Sequence, residues 1–332
     1  MFPIIKGGWQ LAGGHGAVDR DRAIEDMAVF VEAGIATFDC ADIYTGVEQL
    51  IGDFLRARPD LAPRVRVHTK FVPDLDRLAT MTGVDVERII DRSRDRLGVD
   101  ALDLVQFHWW DYGLPRYIEI GRELVRLADR GKIRQIGLTN FDAIRVQEFL
   151  SAGIPIATHQ VQYSLLDRRP AHELAAFVIP LLCYGSLAGG FISERWLGAE
   201  EPSEPLENRS LTKYKLIIDE FGGWSLFQDL LTTLSSIAVR HSVPIGAVAI
   251  RWVLDQPAVG AVIVGARSRV HLAHTLAALT VNLTPSDLSE INQILVRSTG
   301  PLGGVYSLER DHQGLHGRIM RYNLNTSATQ RS

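Results

Sequence analysis

Asp39, Tyr44, Lys70 and His108 have complementary acid–base properties and fall at or just beyond the ends of three short apolar runs. Asp39 closes Ile35-Ala-Thr-Phe-Asp, Lys70 closes Val65-Arg-Val-His-Thr-Lys, and His108 closes Leu102-Asp-Leu-Val-Gln-Phe-His. Tyr44 lies five residues past Asp39. A phenol titrates near 10, so a tyrosine that must give up a proton at neutral pH needs a cation beside it. Lys70 is the candidate: an ammonium about 4 Å from the phenolate, at an effective dielectric near 20, favours ionisation by roughly 4 kcal/mol, about a thousandfold before desolvation opposes it. Asp39 keeps Lys70 charged and fixed, because a buried ammonium without a partner loses its proton. His108 is then free to hold a substrate oxygen. The set suits carbonyl reduction, in which hydride reaches carbon, negative charge builds on oxygen, and Tyr44 supplies the proton without a metal. Taken singly, the same residues read as an ion pair, a core histidine and a loop aromatic; their joint placement favours one site.

Short apolar runs, each followed by a segment with helical spacing, recur along the chain at 3–8, 35–40, 65–71, 102–108, 133–139, 155–161, 178–183 and 259–264. Alternation of this kind predicts parallel strands with crossover helices, and eight strands close a (β/α)8 TIM barrel of the α/β class, a single domain over residues 1–332. The C-terminal rim of such a barrel is where chemistry sits. Helix boundaries are visible too. Val86, Ile89, Ile90 and Leu97 form a stripe that stops at Gly98. Thr284-Pro-Ser-Asp287 supplies an N-cap, a proline at the first helical position and an acid in the first turn. Residues 184–224 are expected to form a long loop after the seventh strand, with Phe191, Trp196, Leu197 and Tyr214 packing it as a lid. Residues 300–332 are expected to form a C-terminal tail whose Tyr306, Ile319, Met320 and Tyr322 cross the barrel mouth, with 326–332 frayed.

A net charge of -4, with 46% hydrophobic and 22% charged residues, fits an ordinary enzyme and argues against nucleic acid or an acidic membrane as partner. The partner expected is a small-molecule carbonyl or sugar substrate. Cys40 and Cys183 lack CxxC spacing and nearby ligand residues, so neither a disulfide framework nor a zinc site is indicated. The first residues do not resemble a signal peptide, and a cytoplasmic location is the default expectation. Residues 174–193 carry no charge, yet Pro180 and three glycines make them a helix end, a buried strand and a loop rather than a membrane span.

No GxGxxG stands between a strand and a helix, and no GxxxxGK[ST] occurs, which disfavours a Rossmann domain. The glycine-bearing stretch Gly185-Ser186-Leu187-Ala188-Gly189-Gly190 is the better pyrophosphate candidate, because backbone amides and Ser186 can approach phosphate closely. Gly265-Ala266-Arg267-Ser268-Arg269 opens a helix expected to run to about Leu279. Cations there are repelled by the helix dipole unless an anion binds between Arg267 and Arg269, and a 2'-phosphate is such an anion. Trp9, Trp109 and Trp110 are candidate walls of the substrate pocket. Their competing reading is packing around the rim.

Seven blocks carry a family resemblance: Phe38-Asp-Cys-Ala-Asp-Ile-Tyr44 with Glu48, His68-Thr-Lys70, Gln106-Phe-His-Trp109, Gly137-Leu-Thr-Asn-Phe141, Gln160-Val-Gln-Tyr163, Cys183-Tyr-Gly-Ser-Leu187 and Ile263-Val-Gly-Ala266. In type, order and approximate spacing the chain resembles the aldo-keto reductases. The resemblance implies that Tyr44 is the proton donor, Lys70 and Asp39 tune it, and His108 orients the carbonyl. It implies a nicotinamide across the barrel mouth, with Asn140 and Gln160 at its carboxamide and Tyr184 stacked on its ring. It further implies that the segment from Gly265 to His271 grips the adenosine end, where an arginine favours NADP(H), with NAD(H) possible. That helix departs from the family pattern, since His271, His274 and Thr275 stand where Gln, an acidic residue and Asn are usual. Thr45-Gly46 follows Tyr44 where the family often has glycine immediately. The leading expectation is NADPH-dependent reduction of an aldehyde or ketone. Oxidation of a sugar or alcohol with NAD(P) by the same site, and a non-catalytic nicotinamide-sensing subunit, are the alternatives.

Overall fold

The structure, a computed structural model, describes residues 2–13 and 16–325, so the fraying expected at 326–332 lies outside the described residues. Eight parallel strands close a barrel in chain order: β1 (Ile4–Gly7), β2 (Thr37–Asp39), β3 (Arg66–Phe71), β4 (Leu104–Phe107), β5 (Ile136–Thr139), β6 (His159–Gln162), β7 (Leu181–Tyr184) and β8 (Val259–Gly265), which returns to β1. Each lies within or against one of the expected runs. The helices that cover the barrel or its ends are α1 (Arg20–Glu32), α2 (Val47–Ala57), α3 (Gly83–Leu97), α4 (Tyr117–Asp129), α5 (Ala143–Ser151), α6 (Arg169–Glu173), α7 (Arg209–Phe221), α8 (Gly223–His241), α9 (Ile245–Leu254), α10 (Leu272–Ala277), α11 (Pro285–Leu295), α12 (Ser307–Arg310) and α13 (Leu315–Arg318).

Strand side chains alternate between two environments, as the pleat requires. Ile5, Leu104, Leu182, Ala261 and Ile263 form a small cluster inside the barrel, while Phe38, Val67, Val105, Phe107 and Leu138 belong to the larger core between barrel and helices. Register then decides which polar groups share a level: Asp39 pairs with Gly7 and His68, Lys70 with Gln106, and Thr139 with Gln160. Inward polar residues near the strand ends are thereby brought to one rim.

The expected caps form. Thr82 and Asp85 make a reciprocal capping box at the start of α3, which ends at left-handed Gly98, and Thr284 and Asp287 make another on α11. Residues 184–224 differ from expectation because they are not all loop. Asn208 caps α7 by accepting from Leu211 N at 3.1 Å, and Leu211, Tyr214, Ile217, Ile218 and Phe221 bury its apolar stripe. Phe191, Trp196 and Trp224 stack beside it, with Phe191 and Trp196 centroids 4.8 Å apart. The helix after β8 is also shorter than expected: a 3-10 turn (Arg269–His271) leads into α10, which stops at Ala277. Among the described residues no single helix is long and apolar enough to cross a membrane. Only α8 and α9 taken together pass such a test, and they meet at 94°.

Gly8, just past β1, shows how tightly the rim is built. Its amide donates to Asp39 O at 2.8 Å, and a Cβ there would lie 2.8 Å from that same oxygen and 2.9 Å from Val47 Cγ1. Both obstacles are buried, one of them backbone. Gly8→Ala is therefore expected to destabilise the protein by about 1–3 kcal/mol, the usual cost of overpacking, measured as a lower urea midpoint with an unchanged m-value.

Candidate active site

Asp39 and Lys70 reach the interior from adjacent strands and form a buried ion pair, Lys70 Nζ to Asp39 Oδ2 2.6 Å, each side chain 6% exposed. Lys70 Nζ also donates to Cys40 O at 2.7 Å. The second oxygen of Asp39 accepts from Gln106 Nε2 at 3.0 Å and Gln160 Nε2 at 2.6 Å, and Gln160 Nε2 lies 2.9 Å from Gln106 Oε1. Gln160, expected at a carboxamide, thus directs its amide nitrogen at Asp39. Gln106, to which no role was given, completes the network. On the helix-facing side of β3, Thr69 donates to Glu48 at 2.6 Å and Arg96 reaches the other Glu48 oxygen at 3.2 Å.

Tyr44 lies on the β2–α2 connection, its turn closed by Gly46 at φ 76. Lys70 Nζ lies 4.9 Å from the Tyr44 ring centroid, and Trp9 meets that ring edge-on at 5.0 Å. The electrostatic outcome differs from the sequence expectation. Burial outweighs the Lys70 charge, so the Tyr44 phenol titrates above its ordinary value and is held protonated. Burial also works to discharge Lys70, but Asp39 and Tyr44 together prevail and its pKa is raised.

His108 faces the same space from the end of β4. Its Nδ1 lies 3.2 Å from Thr139 O, and because a carbonyl can only accept, Nδ1 carries the proton. Its Nε2 is buried without a partner among the described residues and presents a lone pair to the mouth. Burial, aided by the Arg310 charge, lowers the His108 pKa to about 3. The ring is neutral at physiological pH.

The tryptophans divide. Trp110 meets the His108 ring edge-on at 4.2 Å and donates to Pro73 O at 2.8 Å. Trp9 sits beside Tyr44 and donates to Ser210 of α7 at 3.1 Å. Trp109 is a correction: it is fully buried, packs against Phe107 and Tyr117 in the outer core, and donates to Asp111 O and Leu114 O, so it does not wall the mouth.

Asn140, in the left-handed region at φ 62, accepts from the Tyr184 hydroxyl at 2.9 Å. The loop after β7 carries Gly185 (φ 78) and Gly189 (φ 65) against the Tyr214 ring, with a Cβ on Gly185 falling 2.5 Å from the Tyr214 hydroxyl. Leu187 packs against Gly246 of α9, and Ser186 Oγ is buried with no partner among the described residues. On the far side, Gly265 leaves room for Gln10, Arg267 donates to Ala17 O at 2.5 Å, and Ser268 is the extended residue before the 3-10 turn. Arg269 is not left for an anion alone: its Nε lies 3.5 Å from the buried Asp26. His271 is exposed, its ring 5.9 Å from that of His274.

The mouth is covered by groups that the motif blocks do not contain. Tyr306 meets the His108 ring edge-on at 5.5 Å. Lys213 of α7 lies 5.2 Å above the Tyr184 ring and 3.4 Å from the buried Glu309, which is 3.8 Å from Arg169. Tyr322 donates to Gly317 O at 2.8 Å and packs on Trp110, while Ile319 uses its carbonyl, accepting from Arg209 at 2.6 Å. No local spacing in the sequence marks Lys213, Glu309 or Arg310, because α7 and the tail reach the site only through tertiary packing.

A closed parallel barrel with polar groups gathered at the C-terminal ends of its strands defines a TIM-barrel protein whose chemistry faces the rim. Residues 3–296 match the model of the Aldo/keto reductase family, and the chain belongs to that family. It is an NAD(P)H-dependent oxidoreductase. It is 31% identical over 256 residues to flagellar radial spoke protein 5 of Chlamydomonas reinhardtii, covering 65% of this chain and about half, 49%, of that relative. It is 29% identical to the chloroplastic pyridoxal reductase of Arabidopsis thaliana over 86% of this chain and 80% of the relative. In fold it resembles the glycerol dehydrogenase AKR11B4 from Gluconobacter oxydans, with TM-score 0.76 at 24% identity over 91% of this chain and 94% of that one.

Three buried histidines of the barrel strands and their ends tie the fold to acid stability. Burial lowers His68 to about 4, and His108 and His159 to about 3. The unfolded chain takes up these protons near pH 6.5 and the folded chain does not, so the stability they contribute is full above 6.5 and is lost as pH falls towards 3–4, at about 1.4 kcal/mol per pH unit per histidine. His159 Nε2 accepts from Phe141 N at 3.1 Å, a bond a glutamine oxygen can replace. His159→Gln is expected to reduce proton uptake on unfolding between pH 6.5 and 4.5 by about one, read from the slope of unfolding free energy against pH. An unchanged slope contradicts this.

Proposed function

We propose that the protein catalyses NADP(H)-dependent reduction of an aldehyde or ketone to an alcohol by hydride transfer, with Tyr44 as proton donor. The observation that carries this reading is the placement of Lys70 Nζ between Asp39, at 2.6 Å, and the Tyr44 ring, 4.9 Å from its centroid. Tyr44 is the acid: burial keeps its proton until charge develops on a neighbouring oxygen, and Lys70 then stabilises the phenolate left behind. Asp39 holds Lys70 in place, and Gln106 and Gln160 hold Asp39.

The residues fit a nicotinamide cofactor, which supplies the hydride when bound. Tyr184 offers a ring face, and Asn140 an amide beside it. Ser186 offers an unpartnered buried hydroxyl on a loop whose glycines leave its backbone open to phosphate. Arg267, on the segment from Gly265 through Ser268 to His271, is assigned to the 2'-phosphate. Arg269 serves chiefly as counter-charge to Asp26, within reach of Lys6 as well. The preference for NADP(H) over NAD(H) therefore rests on Arg267, and Arg267→Met is expected to lower the ratio of kcat/KM for NADPH to that for NADH by about tenfold, the usual size of one charge-assisted phosphate contact.

One observation favours the reverse reading as well. A neutral His108 with its proton on Nδ1 can accept from the hydroxyl of an alcohol but cannot donate to a carbonyl oxygen. Oxidation of a sugar or alcohol with NAD(P) uses the same groups in reverse: the reacting hydroxyl gives its proton to the phenolate form of Tyr44, stabilised by Lys70, and His108 Nε2 is left to accept from a second hydroxyl. Steady-state rates with aldoses and NADP+, set against aldehydes and NADPH, separate the two directions.

Tyr44→Phe removes the transferable proton while keeping the ring against Trp9. Carbonyl reduction is expected to fall by at least about 10²-fold in kcat, with the Kd for NADPH within threefold of the unsubstituted protein. Equal turnover in the variant would defeat the proton-donor role, whereas intact NADPH binding with negligible turnover on every carbonyl, unchanged in the variant, would favour a non-catalytic, nicotinamide-sensing barrel.

A further inference from the structure

The tail places a cation at the substrate end of the mouth that the reduction chemistry does not use. Arg310, the last residue of α12, donates from Nη2 to Asn140 O at 2.8 Å and to Trp109 O at 3.1 Å. Those two carbonyls belong to residues adjoining Thr139 and His108, so the guanidinium sits directly over the His108 end of the rim. Its carbon lies 4.1 Å from the Tyr112 ring centroid and 5.3 Å from that of Tyr306. Its Nη1 makes only long contacts, 3.4 and 3.5 Å, to Val305 O and Tyr306 O. Its Nε is buried with no hydrogen-bond partner among the described residues.

The arginine also lacks a counter-ion. Among the described residues no carboxylate lies within 4.0 Å of it, unlike Arg169, which pairs with Asp167 at 2.7 Å, or Arg145, which pairs with Asp142 at 3.2 Å. Of the two acids adjoining it in sequence, Glu309 faces the other way towards Lys213 and Arg169, and Asp311 accepts from Gln313 N at 3.1 Å. Arg145 lies 4.5 Å from the same Tyr112 ring, its charge already met by Asp142. A half-buried guanidinium with an unused donor and no anion is costly unless something negative joins it. Backbone carbonyls and ring faces offset part of that cost, but neither uses Nε, and neither neutralises the charge.

We infer that Arg310 is a specificity-determining residue that receives an anionic group, a carboxylate above all, on a carbonyl or hydroxyl substrate whose reacting oxygen lies at Tyr44. The substrate class is thus an oxo acid, a hydroxy acid or an aldehyde bearing a carboxylate, bound with its acidic end at the unused Nε–H of the guanidinium. Tyr306 and Trp110 flank the space between the two ends. The inference rests on the proposed reaction for its orientation, but the anion site itself can be tested without turnover.

Two measurements test it. Isothermal titration of benzoate and of benzyl alcohol into the full-length protein, with and without NADP+, reads the anion site alone. Benzoate is expected to bind at least tenfold more tightly than benzyl alcohol, an advantage lost in Arg310→Met and partly kept in Arg310→Lys. Steady-state reduction of 4-carboxybenzaldehyde and 4-methylbenzaldehyde with NADPH reads specificity. The ratio of their kcat/KM values is expected to exceed ten and to fall to about one in Arg310→Met. Benzoate binding no tighter than the alcohol, or a ratio that Arg310→Met leaves unaltered, overturns the inference and makes Arg310 a tail anchor only. Arg310-dependent benzoate binding without turnover of any aldehyde upholds the anion site and rejects the reduction reading. Turnover without charge preference does the opposite.

Discussion

A lysine ammonium and an aspartate carboxylate, 2.6 Å apart inside the barrel, set the terms for the rest of the rim. Two charges taken from water into a protein interior cost several kcal/mol each unless their remaining donors and acceptors are met. Here the Cys40 carbonyl meets Lys70, and the amides of Gln106 and Gln160 meet Asp39. Those partners come from β2, β4 and β6, so the pair is satisfied only when non-adjacent strands reach their correct register. Removing one member leaves the other charged and uncompensated. The ion pair is thus a demand on the whole upper barrel, and a source of local field beside Tyr44.

The same bookkeeping extends to the mouth. Glu309 is buried there, and burial opposes its ionisation, yet Lys213 and Arg169 hold its carboxyl below the ordinary range. Lys213 pays in turn, its pKa lowered by burial. Through these charges the tail, α7 and the start of α6 become one assembly over Tyr184. Asn325, the last described residue of the tail, is fixed on the opposite side of the rim, its amide nitrogen donating to Val72 O and its backbone to Asp74, both at 2.8 Å. The tail is a strap tied at both ends, and Tyr306 and Arg310 are placed by its path rather than by any strand.

Parts of this architecture were legible because they are local. The β-branched runs, the capping boxes at Thr82 and Thr284, and the left-handed glycine closing α3 follow from backbone sterics and neighbouring side chains. Helix α7 was legible in principle too, from Asn208 and the stripe from Leu211 to Phe221, but proline and acidic residues just before it obscure the signal. The orientation of Trp109 was not legible. Adjacent residues at a strand end point to opposite faces, and only the register decides that Trp110 meets His108 while Trp109 joins the outer core.

The sequence by itself determined the eight-fold alternation, the family, and the fact that Asp39, Lys70 and His108 end strands facing one rim, because period and strand length are properties of contiguous residues. Tertiary structure decided what those groups do to one another. Burial set the sign of the Tyr44 shift against the pull of Lys70, the Thr139 carbonyl chose the His108 tautomer, and Asp26 claimed Arg269. Arg310 reached the Trp109 and Asn140 carbonyls beside His108 from a tail far along the chain. Dielectric environment and long-range pairing depend on which segments meet in space, and no window of neighbouring residues contains that information.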